Sequence, residues 1–209
     1  MTDDSGGLFP ATAMPDPDWW EALWPDPHEV LARLGVAEGG DAVDLCCGDG
    51  LFTAALVRIC RRVTAIDIDP VLLAQARAKT ATAAAERGAG DCDFIAGDAR
   101  DVAALVGHPV DFVLIANTFH GVPDKPRLAC SVARILKPGG LFAIVNWHRR
   151  PREETTVTGK PRGPRTEMRM TPDDVAAAVA PSGLVPARVL ELPPYHYGAV
   201  FQRTAAAKP

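Results

Sequence analysis

The amino-acid sequence predicts an α/β fold: a seven-stranded, mostly parallel, doubly wound sheet that ends in a C-terminal antiparallel hairpin. Two observations predict it. Five short apolar segments of strand length alternate along the chain with longer segments of helical periodicity, and two further strand-like segments follow with only a short link. Alternating strands and helices form right-handed βαβ units and hence a parallel sheet, whereas two closely linked strands pair antiparallel.

The first 27 residues are predicted to form an N-terminal arm or lid ahead of a domain that covers residues 28–209. They are rich in proline, glycine and acidic residues, but they also contain Trp19, Trp20 and Trp24. Disordered tails rarely carry three tryptophans. A short helix would place these side chains on one face. That helix either docks on the domain and completes its core, or covers the mouth of a ligand site.

The helices and strands of the domain are predicted in the following order. A helix over residues 27–34 ends at Gly35, a residue type that often terminates helices. Strands are expected at residues 42–46, 63–67, 92–95, 110–116 and 141–147. Helices are expected between them at residues 51–61, 70–87, 101–106 and 124–136.

Two segments link these elements to the C-terminal part of the chain. Lys137-Pro138-Gly139-Gly140 is expected to end the fourth helix of the alternation and to turn the chain into the fifth strand. Residues 149–170, called the basic loop below, contain seven Arg or Lys against three Glu. We predict a long loop there, and long loops in compact domains are often functional.

The end of the chain is predicted to contain one helix and the closing hairpin. Thr171-Pro172-Asp173-Asp174 is typical of a helix N-terminus, and the helix would run to about Val179. Strands follow at residues 184–191 and 196–203, joined by Pro193-Pro194-Tyr195. We expect this hairpin at the edge of the sheet, with its turn at the end of the sheet opposite the ligand site.

Composition and charge exclude several classes of protein. A chain of 209 residues suits one α/β domain with an added arm. The net charge of −4 argues against a general nucleic-acid binder. No apolar run reaches the roughly 18 residues that a membrane span needs, so no membrane partner is expected. The acidic N-terminus lacks the features of a signal peptide, which predicts a cytoplasmic location.

The five cysteines are irregularly spaced, with no Cys-x-x-Cys pair and no zinc-like cluster with histidine. We expect reduced thiols in a cytosolic protein and no metal site. Cys60, Cys92 and Cys130 are expected to pack as small apolar residues. The adjacent Cys46 and Cys47 are expected to form part of a pocket wall, with a redox or metal role as the alternative.

The strongest candidate for a ligand site is the segment that follows the first predicted strand. That strand ends at Asp44, and the loop Gly48-Asp49-Gly50 lets a backbone approach a ligand without a side-chain clash. A helical pattern begins directly after the loop. This arrangement at the carboxyl end of a parallel strand is typical of a nucleotide site.

Two further acids strengthen the prediction of a nucleoside site. Asp67 ends the next strand, nineteen positions after Gly48, where a carboxylate can accept hydrogen bonds from both ribose hydroxyls. Asp98 follows the third strand, where a side chain would lie beside the adenine. A glycine-rich loop alone is a weak signal. Acids at the ends of three successive strands are a much stronger one.

These motifs resemble those of the class I S-adenosylmethionine-dependent methyltransferases, over roughly residues 28–203. Asp44 to Gly50 looks like the family's first motif, and Asp67 is similar to the acid that holds the ribose. Gly97-Asp98-Ala99, Asp111 to Asn117 and Leu136 to Leu141 match later motifs. The resemblance implies S-adenosyl-L-methionine as cofactor, bound by Asp44, Cys46, Gly48, Gly50, Asp67, Ile68, Asp98, Ala99 and Asn117.

One position departs from the family pattern. Cys46 stands where the family usually has glycine, which requires either ordinary backbone angles there or a small adaptation of the loop. Two alternatives to a methyltransferase remain open. An NAD-dependent oxidoreductase would share the loop and Asp67, but it would more often have a third glycine where this chain has Thr53. A non-catalytic cofactor-binding or interaction protein would have the same fold.

Candidate catalytic residues follow the fourth and fifth strands. His120 comes after the fourth strand, where the resemblance places the methyl-transfer site, and His148 comes after the fifth. Either could act as a general base or orient the acceptor, and for both the alternative is a structural role. His196 in the closing hairpin is a weaker candidate, because the hairpin turn is expected at the other end of the sheet.

The motifs of the resemblance are not specific to any substrate, and we expect a small-molecule acceptor. The basic loop could receive an anionic acceptor, because arginine binds carboxylate or phosphate with two parallel hydrogen bonds. The alternative is a solvated, charged loop. An RNA acceptor is disfavoured, because the chain is acidic overall and the basic run is short.

Overall fold

The chain folds into a seven-stranded sheet with helices on both faces, and the computed structural model describes residues 15–85 and 91–204. The strands are β1 Asp41–Leu45, β2 Arg62–Asp67, β3 Asp91–Ala96, β4 Val110–Ala116, β5 Leu136–Trp147, β6 Thr156–Val157, β7 Lys160–Pro161, β8 Val185–Leu192 and β9 His196–Gln202. The α-helices are α1 Pro17–Leu23, α2 Pro27–Leu34, α3 Leu51–Leu56, α4 Pro70–Ala85, α5 Val102–Leu105, α6 Lys125–Ile135 and α7 Pro172–Val179.

The strands of the large sheet lie in the order β3-β2-β1-β4-β5-β9-β8. Strands β1 to β5 are parallel, while β9 runs antiparallel to both β5 and β8. The predicted fold class is therefore confirmed. The strand order reverses between β1 and β4, so the crevice at their carboxyl ends is where an open α/β sheet binds ligands.

The central strands β1, β2 and β4 are buried on both faces, which explains why they are nearly continuous apolar runs, whereas the edge strands β3 and β8 are largely exposed. In β4, Val113 and Ile115 face the cluster that α5, α6 and α7 cover, whereas Phe112 and Leu114 face the cluster under α1, α2 and α3. Successive residues of a strand point to opposite faces, so both sets must be apolar. The carboxyl ends of the strands are the places where polar side chains enter.

Local signals set several helix ends as predicted. Gly35 ends α2 in the left-handed conformation with φ of 89°, which a residue without a side chain adopts at no cost. The side chain of Asp69 accepts a hydrogen bond from the backbone N–H of Val71 at 2.8 Å at the start of α4. Thr171 and Asp174 form a reciprocal capping box at α7.

Some predicted boundaries differ from the structure. Helix α3 ends at Leu56, short of the expected residue 61. Strand β5 already begins at Leu136, so the predicted turn at 137–140 lies inside the strand as an irregularity in its pairing with β4. The ion pair of Lys137 with Asp111, at 2.7 Å, anchors this irregular stretch. Residues 86 and 87, predicted as helix, lie outside the described residues.

The basic loop is not a plain loop, because it contains the small antiparallel hairpin β6–β7. Thr158 and Gly159 have φ of 51° and 74°, and two successive positive φ angles form the tight turn that matches strand twist. The sequence signal was weak, because Thr is rarely found in that conformation. Buried Arg169 holds the segment by donating hydrogen bonds to the carbonyls of Arg150 and Pro164.

The turn of the closing hairpin lies at the carboxyl end of β5, so the expectation that it sits at the opposite end is wrong. His196 begins β9 and pairs with Trp147, the last residue of β5. The reason is that β8 runs parallel to β5, so the β8–β9 turn shares the edge where the parallel strands end. The C-terminal hairpin is thus next to the candidate ligand site.

The division into an arm over residues 1–27 and a domain over residues 28–209 stays a prediction, and residues 1–14 and 205–209 of it lie outside the described residues. Within the described part, Trp24 packs edge-to-face on Phe52 at 5.4 Å, so α1 is part of a core cluster. Over that same part of the chain, no helix combines the length and the apolar character that crossing a membrane requires.

Candidate functional site

A cavity of about 700 Å³ lies at the carboxyl ends of β1, β2, β3 and β4, within the size range of small-molecule sites. The strand ends and the loops after them form its floor: Asp44, Cys46, Cys47, Gly48, Asp49, Asp67, Ile68, Gly97, Asp98, Ala99, Ala116, Asn117, Thr118 and His120. Helix α1, the start of α3, the end of β5 and the basic loop form its roof and side wall: Trp19, Trp20, Leu51, Phe52, Trp147, Arg152, Arg162, Gly163, Pro164, Arg165 and Met168.

The carboxylate of Asp67 connects the glycine-rich loop to the end of β2. It accepts hydrogen bonds from the backbone N–H of Gly48 at 2.9 Å and of Asp69 at 3.0 Å. Two backbone donors hold both oxygens in one orientation, with lone pairs left for a ligand. Because Gly48 has φ of 56° and carries no side chain, the backbone is exposed to the cavity beside this carboxylate.

Gly50 does not line the cavity, unlike the rest of the predicted cofactor-binding set. Its φ is 85°, and a Cβ added there would lie 2.6 Å from the Cα of Ala76 in α4. The glycine therefore lets α3 and α4 pack closely. Gly50 can therefore affect a bound ligand only indirectly, by setting the position of the loop.

Cys46 adopts φ of 55°, the left-handed conformation that glycine adopts freely. The loop thus keeps the backbone of the family's glycine, and ordinary backbone angles at this position are ruled out. Holding a non-glycine residue there costs about 1 kcal/mol. Burial raises the pKa of both the Cys46 and the Cys47 thiol far above the usual range, so the two thiols are neutral parts of the cavity wall.

Asp44 is a buried carboxyl group among other acids. The hydroxyl of Thr53 donates a hydrogen bond to it at 2.6 Å. Burial, reinforced by the charges of Asp67 and Asp49, raises the pKa of Asp44 to about 7. Several carboxylates in one buried corner repel each other, and a bound cation relieves that repulsion. This end of the cavity therefore suits a positively charged group.

We predict that Asp44→Asn changes the pH dependence of stability. The pKa of the Asp44 carboxyl group rises on folding, from 3.8 to about 7. Its contribution to the stability of the folded state is therefore lost as pH increases through that interval. The amide does not titrate. We therefore expect the free energy of unfolding of the variant, minus that of the parent, to rise by about 2 kcal/mol from pH 5 to pH 8. Urea unfolding at both pH values measures it, and a constant difference would contradict the prediction.

The predicted adenine-edge residues lie where β3 ends. Asp98 forms an ion pair with Arg100 at 2.6 Å, and its side chain also accepts a hydrogen bond from the backbone N–H of Arg100 at 2.8 Å. Ala99 follows and is buried. Gly97 must be small, because a Cβ there would lie 2.8 Å from the side chain of Leu105. The carboxylate of Asp98 is thus held in place at the cavity by a neighbouring cation.

Asn117 and His120 bring unpaired polar atoms to the cavity after β4. Asn117 has φ of 60°, and both polar atoms of its side-chain amide are buried with no hydrogen-bond partner in the described part of the chain. His120 Nδ1 is likewise buried and unpaired among those residues. Burial, with a smaller effect of the Lys125 charge, lowers the pKa of His120 to about 4. The imidazole is therefore uncharged at neutral pH.

The structure does not bring the other two candidate histidines to the cavity. His148 Nε2 lies 2.8 Å from a carboxylate oxygen of Glu191 in β8, on the hairpin side of the sheet. His196 is fully buried between Trp24 and Trp147, with ring centroids 4.6 Å and 4.2 Å away. Burial lowers the pKa of His196 well below its usual value, so this ring packs as a neutral aromatic group.

The roof of the cavity combines aromatic rings with guanidinium groups. The guanidinium of Arg162 lies over the ring of Trp19 at 5.0 Å, within the range of a cation–π interaction. Trp147 stacks with Tyr195 at 5.9 Å, and the hydroxyl of Tyr195 donates a hydrogen bond to the Thr156 carbonyl at 2.8 Å. These contacts attach the basic loop to β5 and to α1.

Gly163 is the point where the basic loop contacts Trp147, and a Cβ there would lie 2.8 Å from the indole ring. We predict that Gly163→Ala lowers the free energy of unfolding by about 2 to 3 kcal/mol, from overpacking and from the positive φ of 84°. Gly159→Ala is the matched control, because Gly159 also has a positive φ but no atom near its Cβ position, so it should cost only about 1 kcal/mol. Urea unfolding compares the two, and equal losses would contradict the assigned contact.

Several cavity residues were not among the predicted site residues. Asp49 lies inside the loop motif itself; its Oδ2 pairs with Lys79, and its Oδ1 is buried without a partner within the described residues. Phe52 lies in the first turn of the helix after the loop and could have been inferred from that position. Trp147 ends β5 next to the predicted His148. Which of these two neighbours faces the cavity depends on the orientation of the strand, for which the sequence carries no signal.

Comparison with known proteins gives one family match and one group of relatives. Residues 43–144 match a family model described as a methyltransferase domain. The ubiquinone biosynthesis O-methyltransferase of Xanthomonas oryzae pv. oryzae is 30% identical to this chain over 143 residues, which covers 64% of this chain and 57% of that protein. The chain thus spans little more than half the length of the curated relatives it matches.

Solved structures match over most of the chain. A SAM-dependent methyltransferase from Aquifex aeolicus has a TM-score of 0.72 at 22% identity, covering 90% of this chain and 94% of that chain. The N-methyltransferase NodS from Bradyrhizobium japonicum WM9, in complex with S-adenosyl-L-homocysteine, has a TM-score of 0.65 at 17% identity, covering 90% and 93%. At these identities the similarity shows the fold alone.

Proposed function

We propose that the chain transfers a methyl group from S-adenosyl-L-methionine to a small-molecule acceptor. Residues 43–144 match a family of methyltransferase domains and the chain has the class I methyltransferase fold, as the motifs predicted. The observation that carries the proposal is the charge pattern of the cavity. Acids from three successive strand ends surround the backbone of Gly48, which lines the cavity, and polar groups with no partner among the described residues follow the fourth strand.

The residues present suit this cofactor. Asp67 has lone pairs for the ribose hydroxyls, and Gly48 leaves room for the nucleoside. Ile68, Asp98 and Ala99 line the part of the cavity that the family motifs assign to the adenine. The buried acids Asp44 and Asp49, together with the wall at Cys46, suit a cationic amino-acid moiety. When bound, S-adenosylmethionine supplies a methyl group on a sulfonium that is already activated for transfer.

The residues after β4 are proposed to act on the acceptor. The side chains of Asn117 and His120 are the unpaired polar groups nearest in sequence to the end of that strand. An uncharged imidazole can accept a hydrogen bond, or the proton, from a hydroxyl or amino group of the acceptor. The surrounding aromatic wall excludes water, so positioning supplies much of the rate enhancement.

The acceptor is proposed to be small and anionic. The three arginines Arg152, Arg162 and Arg165 line the roof in a chain that is acidic overall, so their convergence departs from the background charge. The ubiquinone biosynthesis O-methyltransferase that this chain resembles acts, by its name, on an oxygen atom. Nucleic acid is not proposed as a partner, because the basic segment is short and three of its arginines line the cavity.

The roof is proposed to act as a lid. Helix α1 supplies Trp19 and Trp20, and the basic loop supplies Arg162, so two segments distant in sequence cover one cavity.

A cytoplasmic location is also proposed, supported by the five free thiols. Disulfides are rare in that compartment, whereas free thiols are the rule.

Two titrations test the proposed function. Calorimetry with S-adenosylhomocysteine should show binding to the parent, and the same experiment with NAD should not. Binding of NAD instead would favour the oxidoreductase. The third hypothesis, a non-catalytic binding protein, would gain if the product analogue binds but no acceptor in a broad small-molecule panel leads to consumption of S-adenosylmethionine.

A further inference from the structure

The roof of the cavity contains two hydrogen-bond donors that have no acceptor. Nε of Arg162 and Nε1 of Trp20 are both buried, and neither has a partner among residues 15–85 and 91–204. Both atoms carry a hydrogen and can only donate. Burying a donor without an acceptor costs about 1 to 3 kcal/mol, so two of them on one wall indicate a missing partner that accepts.

The two donors belong to neighbouring side chains. The guanidinium of Arg162 lies over the ring of Trp19 at 5.0 Å, and the ring of Trp20 lies edge-on to Trp19 at 6.1 Å. All three side chains line the cavity. Both donor side chains thus pack against Trp19, whose ring supports the guanidinium. The backbone of Arg162 is also held, because its carbonyl accepts hydrogen bonds from Thr155 and Arg169.

Arg162 differs from the other two roof arginines in the use of its Nε atom. Nε of Arg152 donates to the carbonyl of Gly163 at 3.0 Å, and Nε of Arg165 lies 3.3 Å from Glu167. Arg162 has only a long ion pair with exposed Asp16, at 4.0 Å, and its side chain is 19% exposed. Its charge is thus mostly desolvated and poorly compensated, which favours an anion from the cavity side.

Part of the cavity wall is apolar. Phe52, Trp147 and Met168 line the cavity, and none of their side chains carries a charge. The acids that would meet a cationic cofactor lie at the other end, around Asp44 and Asp67. Charge is therefore separated along the cavity: carboxylates at the loop, rings in the middle and a guanidinium at the roof.

We propose that Arg162 and Trp20 form a subsite for the carboxylate of the acceptor, so that the substrate class is a small carboxylic acid with an aromatic or other apolar body. A carboxylate only accepts hydrogen bonds, so it suits a wall whose unpaired groups only donate. Its apolar body lies against the rings, and its nucleophilic atom is at the far end, toward the residues after β4. This proposal rests on the proposed function and names the substrate class of the same site.

Benzoate and its uncharged analogue benzamide are suitable probes, titrated by calorimetry into protein saturated with S-adenosylhomocysteine. We expect benzoate to bind at least tenfold more tightly than benzamide. Arg162→Ala should lower the affinity for benzoate at least tenfold and leave the affinity for benzamide within twofold of the parent. Trp20→Phe removes the donor but keeps a ring, and should lower the affinity for benzoate severalfold. Arg149→Ala is the matched control, because Arg149 is 55% exposed, pairs with Asp174 and lies outside the cavity lining.

The outcomes separate this proposal from the proposed function. If S-adenosylhomocysteine binds but Arg162→Ala leaves benzoate affinity unchanged, or benzamide binds as well as benzoate, the carboxylate subsite is overturned while the methyltransferase stands. If S-adenosylhomocysteine does not bind, the proposed function fails, and the benzoate titrations on the protein alone still decide the subsite. No binding of benzoate, 2-naphthoate or acetate to the parent overturns it. Tighter binding of phenyl phosphate than of benzoate would assign the subsite to phosphate instead.

Discussion

Asp67→Ala is expected to raise the dissociation constant for S-adenosylhomocysteine on the order of 100-fold. The carboxylate would lose two charge-assisted hydrogen bonds to the ribose hydroxyls, each worth about 1.5 kcal/mol or more. The variant also loses the acceptors for the N–H groups of Gly48 and Asp69, which hold the loop against β2. Calorimetry on parent and variant measures the change, with circular dichroism to verify that the variant is folded.

Asp69→Ala is the matched control for that experiment. Asp69 lies two positions further on, does not line the cavity, and accepts a hydrogen bond from Val71 at the start of α4. The loss of this helix cap should cost about 1 kcal/mol of stability. The affinity for S-adenosylhomocysteine should stay within about threefold of that of the parent. If both variants bind the product analogue like the parent, Asp67 does not hold the ribose and the cofactor assignment of this corner is wrong.

His120→Ala is expected to lower kcat by about 100-fold with the acceptor that the small-molecule panel identifies, while S-adenosylhomocysteine binds within about twofold of the parent. The pH dependence gives a sharper expectation. Because the pKa of His120 is lowered to about 4, the imidazole keeps its uncharged form across the neutral range. The ratio of parent to variant kcat should therefore stay constant between pH 5.5 and pH 8.

His148→Ala is the control for the histidine experiment. Its ring pairs with Glu191 and lies outside the cavity lining, so kcat should remain within about twofold of the parent. A large loss of kcat in His148→Ala, with no loss of kcat in His120→Ala, would reverse the assignment of the two histidines. A parent-to-variant ratio for His120 that falls with a midpoint near pH 6.5 would contradict an uncharged imidazole in the folded enzyme.

The proposed cofactor-binding half of the site was predictable because its residues sit at repeated positions in the pattern. Asp44, Asp67 and Asp98 lie at or just after the ends of β1, β2 and β3, and parallel strands end at the same edge of the sheet. Once the strands are identified from their apolar runs, the acids must meet. The glycine loop is local in sequence, so its role followed from the same short segment.

The acceptor half could be predicted only in part. The sequence pointed to the three N-terminal tryptophans and to the basic loop, but not to their meeting. More than 100 residues separate Trp19 from Arg162, and their contact depends on how α1 and the basic loop dock. His148 was placed among the candidates because it follows a strand end, yet its neighbour Trp147 is the residue that faces the cavity.

Periodicity and short motifs were enough to predict the fold class and the corner where a nucleoside is expected, because their residues are close in the chain. Only the structure revealed the left-handed backbone at Cys46, the place of the hairpin turn, and the arginine whose buried Nε has no partner among the described residues. Side-chain direction and hydrogen-bond satisfaction depend on strand pairing and on packing between distant segments, so no single stretch of residues encodes them.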